Sequence, residues 1–248
     1  MKKIALLITL AVGALLILAA EDFPRWGDAH APANDYLSPY YIEKSLEETA
    51  VPNIVTAVLA DYRGYDTMFE TTVIFCAGIT VLTLLRRTQR KAPKAVRPRP
   101  ARQGADVILQ SASRLLVPVM QIFALYVLAL GHHSPGGGFQ AGVILGASFI
   151  LLALSYDLKT VLARLSENTL LRLSALGVII YAGIGALCLL LGDNFLAYAA
   201  LKVFGFSEVM AHSHGILGVE LGVAVTVMAI MFSLYVDLAS GGDLDEGL

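Results

Sequence analysis

Six long apolar runs constrain this chain more than any other feature. They are Ile4–Ala20, Met68–Leu85, Val107–Leu130, Phe139–Tyr156, Leu170–Leu191 and Gly215–Val236. A helix needs about 20 mostly apolar residues to cross the hydrocarbon core of a bilayer. Inside that core every backbone N–H and C=O must be satisfied within the protein, which leaves helices and closed barrels. The runs are rich in Leu, Ala and Gly and lack the period-2 alternation of barrel strands, so helices are expected. Only 15% of the 248 residues are charged, against roughly 25% in soluble domains. The expected class is an all-α integral membrane protein. It has about six transmembrane helices, grouped two plus four, with short helices on the outer face.

The first run follows Lys2 and Lys3 and resembles a secretory signal. Its end, Leu18-Ala19-Ala20-Glu21, lacks a clean small-x-small cleavage site, so it reads as a retained anchor helix. Charge then sets the expected orientation. Arg86, Arg87, Arg90, Lys91, Lys94, Arg97, Arg99 and Arg102 form a basic run that no acid interrupts. Between Glu21 and Ala50, by contrast, acids outnumber Arg25 and Lys44. Lys/Arg-rich loops stay cytoplasmic, which puts both termini and Arg86–Arg102 inside and Glu21–Ala50 outside. Lys159, Arg164 and Arg172 then also fall inside. The expected localisation is the cytoplasmic (inner) membrane of a prokaryote.

A basic run can bind nucleic acid, but directly after a membrane helix, with Pro93, Pro98 and Pro100, it reads as a topology-setting linker touching lipid headgroups. The expected organisation is a two-helix membrane segment at 1–87 with an outer loop at 21–66. A basic cytoplasmic linker at 88–105, a four-helix membrane domain at 106–240 and an acidic cytoplasmic tail at 241–248 follow. Trp26, Tyr36, Tyr40 and Tyr41 suit the membrane–water interface. Pro52 is placed to open a short outer helix over Asn53–Leu59, and Phe195–Val209 reads as another. Cys76 and Cys188 lie in different runs and read as small core residues.

Between the third and fourth runs the chain reads GHHSPGGGFQAGVILG, Gly131 to Gly146. Gly138, Gly142 and Gly146 are four apart and share a helix face, and Gly218 and Gly222 repeat the step in the sixth run. In lipid such small residues let backbones approach and gain dispersion contacts. Ionisable groups in or beside the membrane are candidates for function, because burying them is costly.

Four places stand out. Asp61, Asp66 and Glu70 gather with Arg63 at the outer start of a crossing, either as a capped helix with a local ion pair or as the mouth of a cation path. His132 and His133 end the third run and can relay protons or serve as loop-polar groups. Glu208, His212 and His214 precede the sixth run, with Glu208 and His212 four apart on a helix. Glu220 sits inside that run, suited to carry a proton or to hydrogen-bond a facing helix. His132 and His133 are adjacent and do not point the same way on a helix, and no clear third or fourth ligand accompanies Glu208, His212 and His214, so a metal site is not expected at either place. No phosphate loop, dinucleotide fingerprint, CxxC set or nucleophile elbow is present, so no catalytic residue, metal site or cofactor is expected.

The segment GHHSPGGGFQAGVILGASFILLALSYD resembles the signature of the MnhB/MrpB family of multisubunit Na+/H+ antiporters. Gly131, His132, Pro135, Gly136, Gly137, Gly138 and Phe139 carry the pattern. HSHGILGVELGVAVTV, with His214, Gly215, Gly218, Glu220 and Gly222, is similar to the family's closing helix. The resemblance covers Val107–Leu238. IVTAVLADYRGYDTMFETTVIF is similar to the MbhE-type component of membrane-bound hydrogenases and to the last helices of the large MrpA antiporter component.

The resemblance implies a fusion serving a Mrp-type sodium/proton antiporter module. Its implied partners are large antiporter-like and small membrane subunits, and membrane lipids. The same module inside a hydrogenase-type respiratory complex, with hydrogenase-type subunits as partners, is a second expectation. A third is a purely structural linker role. The ion-route candidates are Asp61, Asp66, Glu70, His132, His214 and Glu220. The helix-packing candidates are Gly138, Gly142, Gly146, Gly218 and Gly222.

Overall fold

The computed structural model of the protein describes residues 2–89, 107–156 and 158–240. All regular structure among them is helical. The α-helices are α1 (Lys2–Ala20), α2 (Ser38–Thr49), α3 (Ile54–Ala57), α4 (Gly64–Gln89), α5 (Val107–Ala129), α6 (Gly138–Ser155), α7 (Leu158–Leu162), α8 (Glu167–Leu190) and α9 (Glu208–Ser240). Six of them, α1, α4, α5, α6, α8 and α9, are long and apolar enough to cross a membrane. The chain is a multi-pass membrane protein. The basic run beyond Gln89 and the acidic tail lie outside the described residues.

Two helices start earlier than the apolar runs suggest. α4 begins at Gly64, so Asp66 falls in its first turn, where the positive helix end favours a carboxylate. α9 begins at Glu208 and reaches 33 residues, about 50 Å at 1.5 Å per residue. Its first two turns are polar and carry His212 and His214. Asn53 caps α3, its side chain accepting from the Val55 amide. The chain then widens into one π-type turn, in which the Arg63 amide donates to the Val58 carbonyl at 2.8 Å. The expected outer helix after α8 is confined to a tight 3-10 stretch, Tyr198–Phe204. It stops at Gly205, whose φ of +92° is the left-handed conformation that ends helices.

Met1–Lys44 and Ser45–Leu248 form two compact units. In the first, Asp28 organises the loop after α1. Its carboxylate accepts from the His30 amide at 2.9 Å, and its carbonyl from the Asn34 side chain at 3.0 Å. In the second, α9 is central and carries buried residues from Ala211 to Ser240. It packs against α4, α6, α8 and the 3-10 stretch, and α5 packs on α6.

Glycine decides two of these interfaces. A methyl group on Gly142 would lie 2.7 Å from the Ala224 carbonyl and 2.8 Å from the Val227 Cβ. One on Gly138 would collide with the Glu220 carbonyl, and one on Gly146 would crowd Met231. The four-residue step on α6 thus matches a four-residue step on α9. On the other side Gly222 meets the Gly177 carbonyl of α8, and the Thr226 hydroxyl donates to the Ser174 carbonyl at 3.1 Å. Gly218 faces Ile184.

Apolar side chains fill what remains. Tyr181, Tyr198, Ile216, Val219 and Val223 form one cluster toward the N-terminal end of α9. Leu170, Ala229, Phe232 and Val236 form another toward its C-terminal end. Cys188 joins the first cluster, but Cys76 is exposed on α4, so only one of the two cysteines is a core residue.

Candidate ion-handling site

Glu220 is buried on α9 and points at the start of α6. Its carboxylate hydrogen-bonds the Gly138 amide, and the Thr56 hydroxyl lies beside it. The first amides of a helix lack intrahelical partners and form its positive end, so the carboxylate takes the place of a cap. Two glycines make this approach possible. Gly137 has φ +126°, and a Cβ there would stand 2.7 Å from Glu220 Oε1; a Cβ on Gly138 would strike the Glu220 backbone. The Gly-Gly-Gly junction is therefore the seat of a buried carboxylate.

His132 lies across from Glu220. Its Nε2 is 3.7 Å from Glu220 Oε2, too far for a hydrogen bond. Neither atom has a hydrogen-bond partner among the described residues. Buried groups left in this state are uncommon and call for a reason. On its other side, His132 Nδ1 is 3.4 Å from the Ser213 hydroxyl. The loop that carries His132 is pinned by α3 and its cap. The Asn53 side-chain amide donates to the carbonyls of Gly131 at 2.8 Å and Ser134 at 2.9 Å. The Asn53 backbone amide donates to His132 O, and the Thr56 hydroxyl to Gly131 O.

A cavity of about 230 Å3 reaches Glu220, room for several waters at about 30 Å3 each. Thr56, Thr67, Thr71, Glu70 and Gln140 line it along with Glu220. The Thr67 and Thr71 hydroxyls donate to the carbonyls of Leu59 and Thr67, which leaves their lone pairs as acceptors. Two carboxylates and several neutral oxygens around one space are ligand chemistry for a hard cation or for a protonated water chain.

A second polar pair joins distant parts of the chain. His212 Nδ1 sits 2.5 Å from Asp61 Oδ2, and the His212 ring meets Tyr198 edge-on. The Tyr198 and Tyr181 hydroxyls donate to the carbonyls of Ala60 and Gly64, each at 2.8 Å. Tyr62 hydrogen-bonds Glu48. The segment before α4 is thus tied to α8 and α9.

The six expected route residues therefore separate. Glu220 and His132 come together, and Glu70 shares their cavity. Asp61 pairs with His212, which the sequence left outside the candidate set. Asp66 is exposed and bound to Arg63 at 2.5 Å. His214 is exposed and lies against Phe206, ring centroids 4.5 Å apart. His133 is exposed while His132 is buried, as expected for adjacent residues that point apart. Asn53 and Thr56, which fix the site, carry no sequence signal beyond a helix cap.

Burial, and then the charges of His133 and His214, hold the His132 imidazole below its ordinary value of 6.5. A folded-state value below the unfolded one means that the unfolded chain binds the proton more readily. This histidine's contribution to stability is complete above about pH 6.5 and falls as the pH drops below it. Thermal unfolding between pH 8 and 5 is expected to show this acid sensitivity, reduced in His132→Gln. An unchanged profile in that variant would assign the sensitivity to other groups.

Residues 108–233 match the family described as a domain related to the MnhB subunit of Na+/H+ antiporter. Residues 4–103 match MbhE, the family of the E-type MBH subunits. The chain is 26% identical over 249 residues to a probable K+/H+ antiporter protein of the combined A/B type from Rhizobium meliloti (strain 1021), covering 89% of this chain and 24% of that one. It is 35% identical over 130 residues to the B-type subunit of the Na+/H+ antiporter of Bacillus subtilis (strain 168), covering 51% of this chain and 90% of that one. It thus spans about a quarter of the first relative and most of the second. Among solved structures it is similar to a chain of the membrane-bound sulfane sulfur reductase, an archaeal respiratory membrane complex. There the TM-score is 0.61 with 27% identity, over 93% of this chain and 97% of that chain.

Proposed function

We propose that the chain, which belongs to the family of domains related to the MnhB subunit of Na+/H+ antiporters, works as a transport subunit of a multisubunit cation/proton antiporter module. Alone it exchanges nothing; it joins larger antiporter-type subunits and supplies part of an ion route. One observation carries this reading. The buried carboxylate of Glu220 faces His132 across 3.7 Å, with an unpartnered atom on each side, next to a cavity lined by Glu70 and threonine hydroxyls. A group that gains and loses a proton there, or trades it for a cation, changes partners without moving the helices.

The matches at 4–103 and 108–233 support two joined modules with the basic linker between them. Asp61–His212 and the tyrosine hydroxyls tie the segment at 60–64 to the C-terminal helices. Lys2, Lys3, Lys159, Arg164 and Arg172 support a cytoplasmic placement of both termini in the prokaryotic inner membrane.

A second reading rests on the respiratory complex to which the fold is similar. In it the same chain serves a redox-driven pump, and the co-purifying proteins decide. Iron–sulfur or nickel-binding partners indicate the redox complex, and partners of antiporter type alone indicate the exchanger.

Glu70 tests the cation side of the route. It is exposed at the cavity, so its charge is screened and contributes about 1 kcal/mol to a nearby cation. In the reconstituted complex, Glu70→Gln is expected to raise the KM for the cation roughly fivefold, with kcat and assembly retained. A KM identical to that of the wild type removes Glu70 from the route.

A further inference from the structure

We infer that the cavity bounded by α5, α6, α7 and the turn before α8 binds the phosphodiester headgroup of an anionic phospholipid. It has a volume of about 530 Å3 and lies apart from Glu220 and His132. Its polar lining includes Arg114, Tyr156, Thr160 and Arg164, with Ser113 and Gln121 on α5, and its apolar wall includes Val117, Pro118, Phe149 and Leu152. Tyr156 directly follows the last residue of α6, and Arg164 lies two residues before the Ser166 cap of α8. These positions are the ends of two membrane spans, where headgroups lie. The apolar wall continues into the spans, alongside acyl chains. Of the two sources of a phosphate group, a free anion would satisfy only the polar part, whereas a phospholipid satisfies both.

The arginines are set up for this role. Arg114 Nε donates to the Tyr156 hydroxyl at 2.7 Å, which fixes the guanidinium and leaves its terminal N–H groups for another acceptor. Neither Arg114 nor Arg164 has a carboxylate partner among the described residues. Guanidinium binds phosphate oxygens in a fork, with charge and geometry matched. Pro118 has no amide to bond the Arg114 carbonyl four residues before it, and its ring crowds that carbonyl, which loosens the turn holding Arg114. The same arginines fall on the side that the basic residues assign to the cytoplasm, where anionic lipids concentrate.

The test uses the full chain in an uncharged detergent. Binding is read by native mass spectrometry and thermal unfolding, with palmitoyl-oleoyl phosphatidylglycerol, phosphatidylcholine of the same acyl chains, and inorganic phosphate. Phosphatidylglycerol is expected to bind and raise the Tm, while the other two do neither. Arg114→Gln and Arg164→Gln should each weaken phosphatidylglycerol binding about fivefold, and the double variant about 30-fold, from the usual strength of one arginine at an anionic surface. Arg114→Lys with Arg164→Lys should retain most of the preference. The single variants keep the test open if the double glutamine variant does not fold. Equal binding of the two lipids, a preference that survives the glutamine substitutions, or saturation by inorganic phosphate alone each overturns the assignment. So does an assembled complex in which another protein fills the cavity.

Discussion

Glu220→Gln is expected to cut cation/proton exchange by the reconstituted complex at least tenfold while leaving the complex assembled. The two side chains have the same shape. The glutamine carbonyl can still accept from the Gly138 amide that the carboxylate uses now, so the start of α6 keeps its cap. What is lost is the only charge-changing function of the side chain. The amide neither takes up a proton nor neutralises a cation, and its NH2 faces the His132 ring, whose Nε2 is 3.7 Å from the Oε2 position in the wild type. A tenfold loss is about 1.4 kcal/mol of barrier, a modest demand on a buried charge whose partner is not yet bonded. Glu220→Asp keeps the charge but retracts it by one methylene, and should fall between the two. Native gels separate this from misassembly. Wild-type exchange in an assembled Glu220→Gln complex eliminates Glu220 from the route and leaves the chain a structural component.

The reason Glu220 was legible in the sequence is also the reason its surroundings were not. A lone carboxylate inside an apolar run stands out because burial is costly, and glycines four apart mark a helix face. Both are local signals, and both lie at the α6–α9 contact. Asp61 and His212, by contrast, are 151 residues apart. No period or motif says that a helix-start histidine will meet that carboxylate instead of Glu208 four residues away. Asn53 reads as a helix cap, which it is, while its second task, holding the carbonyls of Gly131 and Ser134, exists only in the tertiary structure. Asp237 is buried, yet it lies just past the last apolar run, Gly215–Val236, and so outside the signal that marks a carboxylate inside such a run. The six spans were legible because membrane helices obey length and composition, and their starts were displaced because polar first turns do not.

Gly177→Val is expected to lower the thermal stability and folded yield of the chain sharply. A Cβ on Gly177 would overlap the Gly222 carbonyl and the Thr226 hydroxyl, and would lie 2.8 Å from the Thr226 amide. These are mostly backbone atoms of α9, so no rotamer change relieves them, and the two helices must separate. Overpacking a core costs about 1–3 kcal/mol. Separation also weakens the Thr226–Ser174 hydrogen bond, worth about 1 kcal/mol. Together these are about 2–4 kcal/mol, a substantial share of a marginal stability of about 5–15 kcal/mol. Because α9 is shared with α6 and α4, the loss spreads from α8 to the seat of Glu220. Gly183→Val in the same helix supplies the control. A Cβ there meets nothing within 4 Å, while the change in helix propensity is the same. Detergent-solubilised yield and Tm should fall markedly for Gly177→Val and stay near wild type for Gly183→Val. Equal losses in the two would mean that helix propensity, and not the close approach of α8 to α9, governs stability at these glycines.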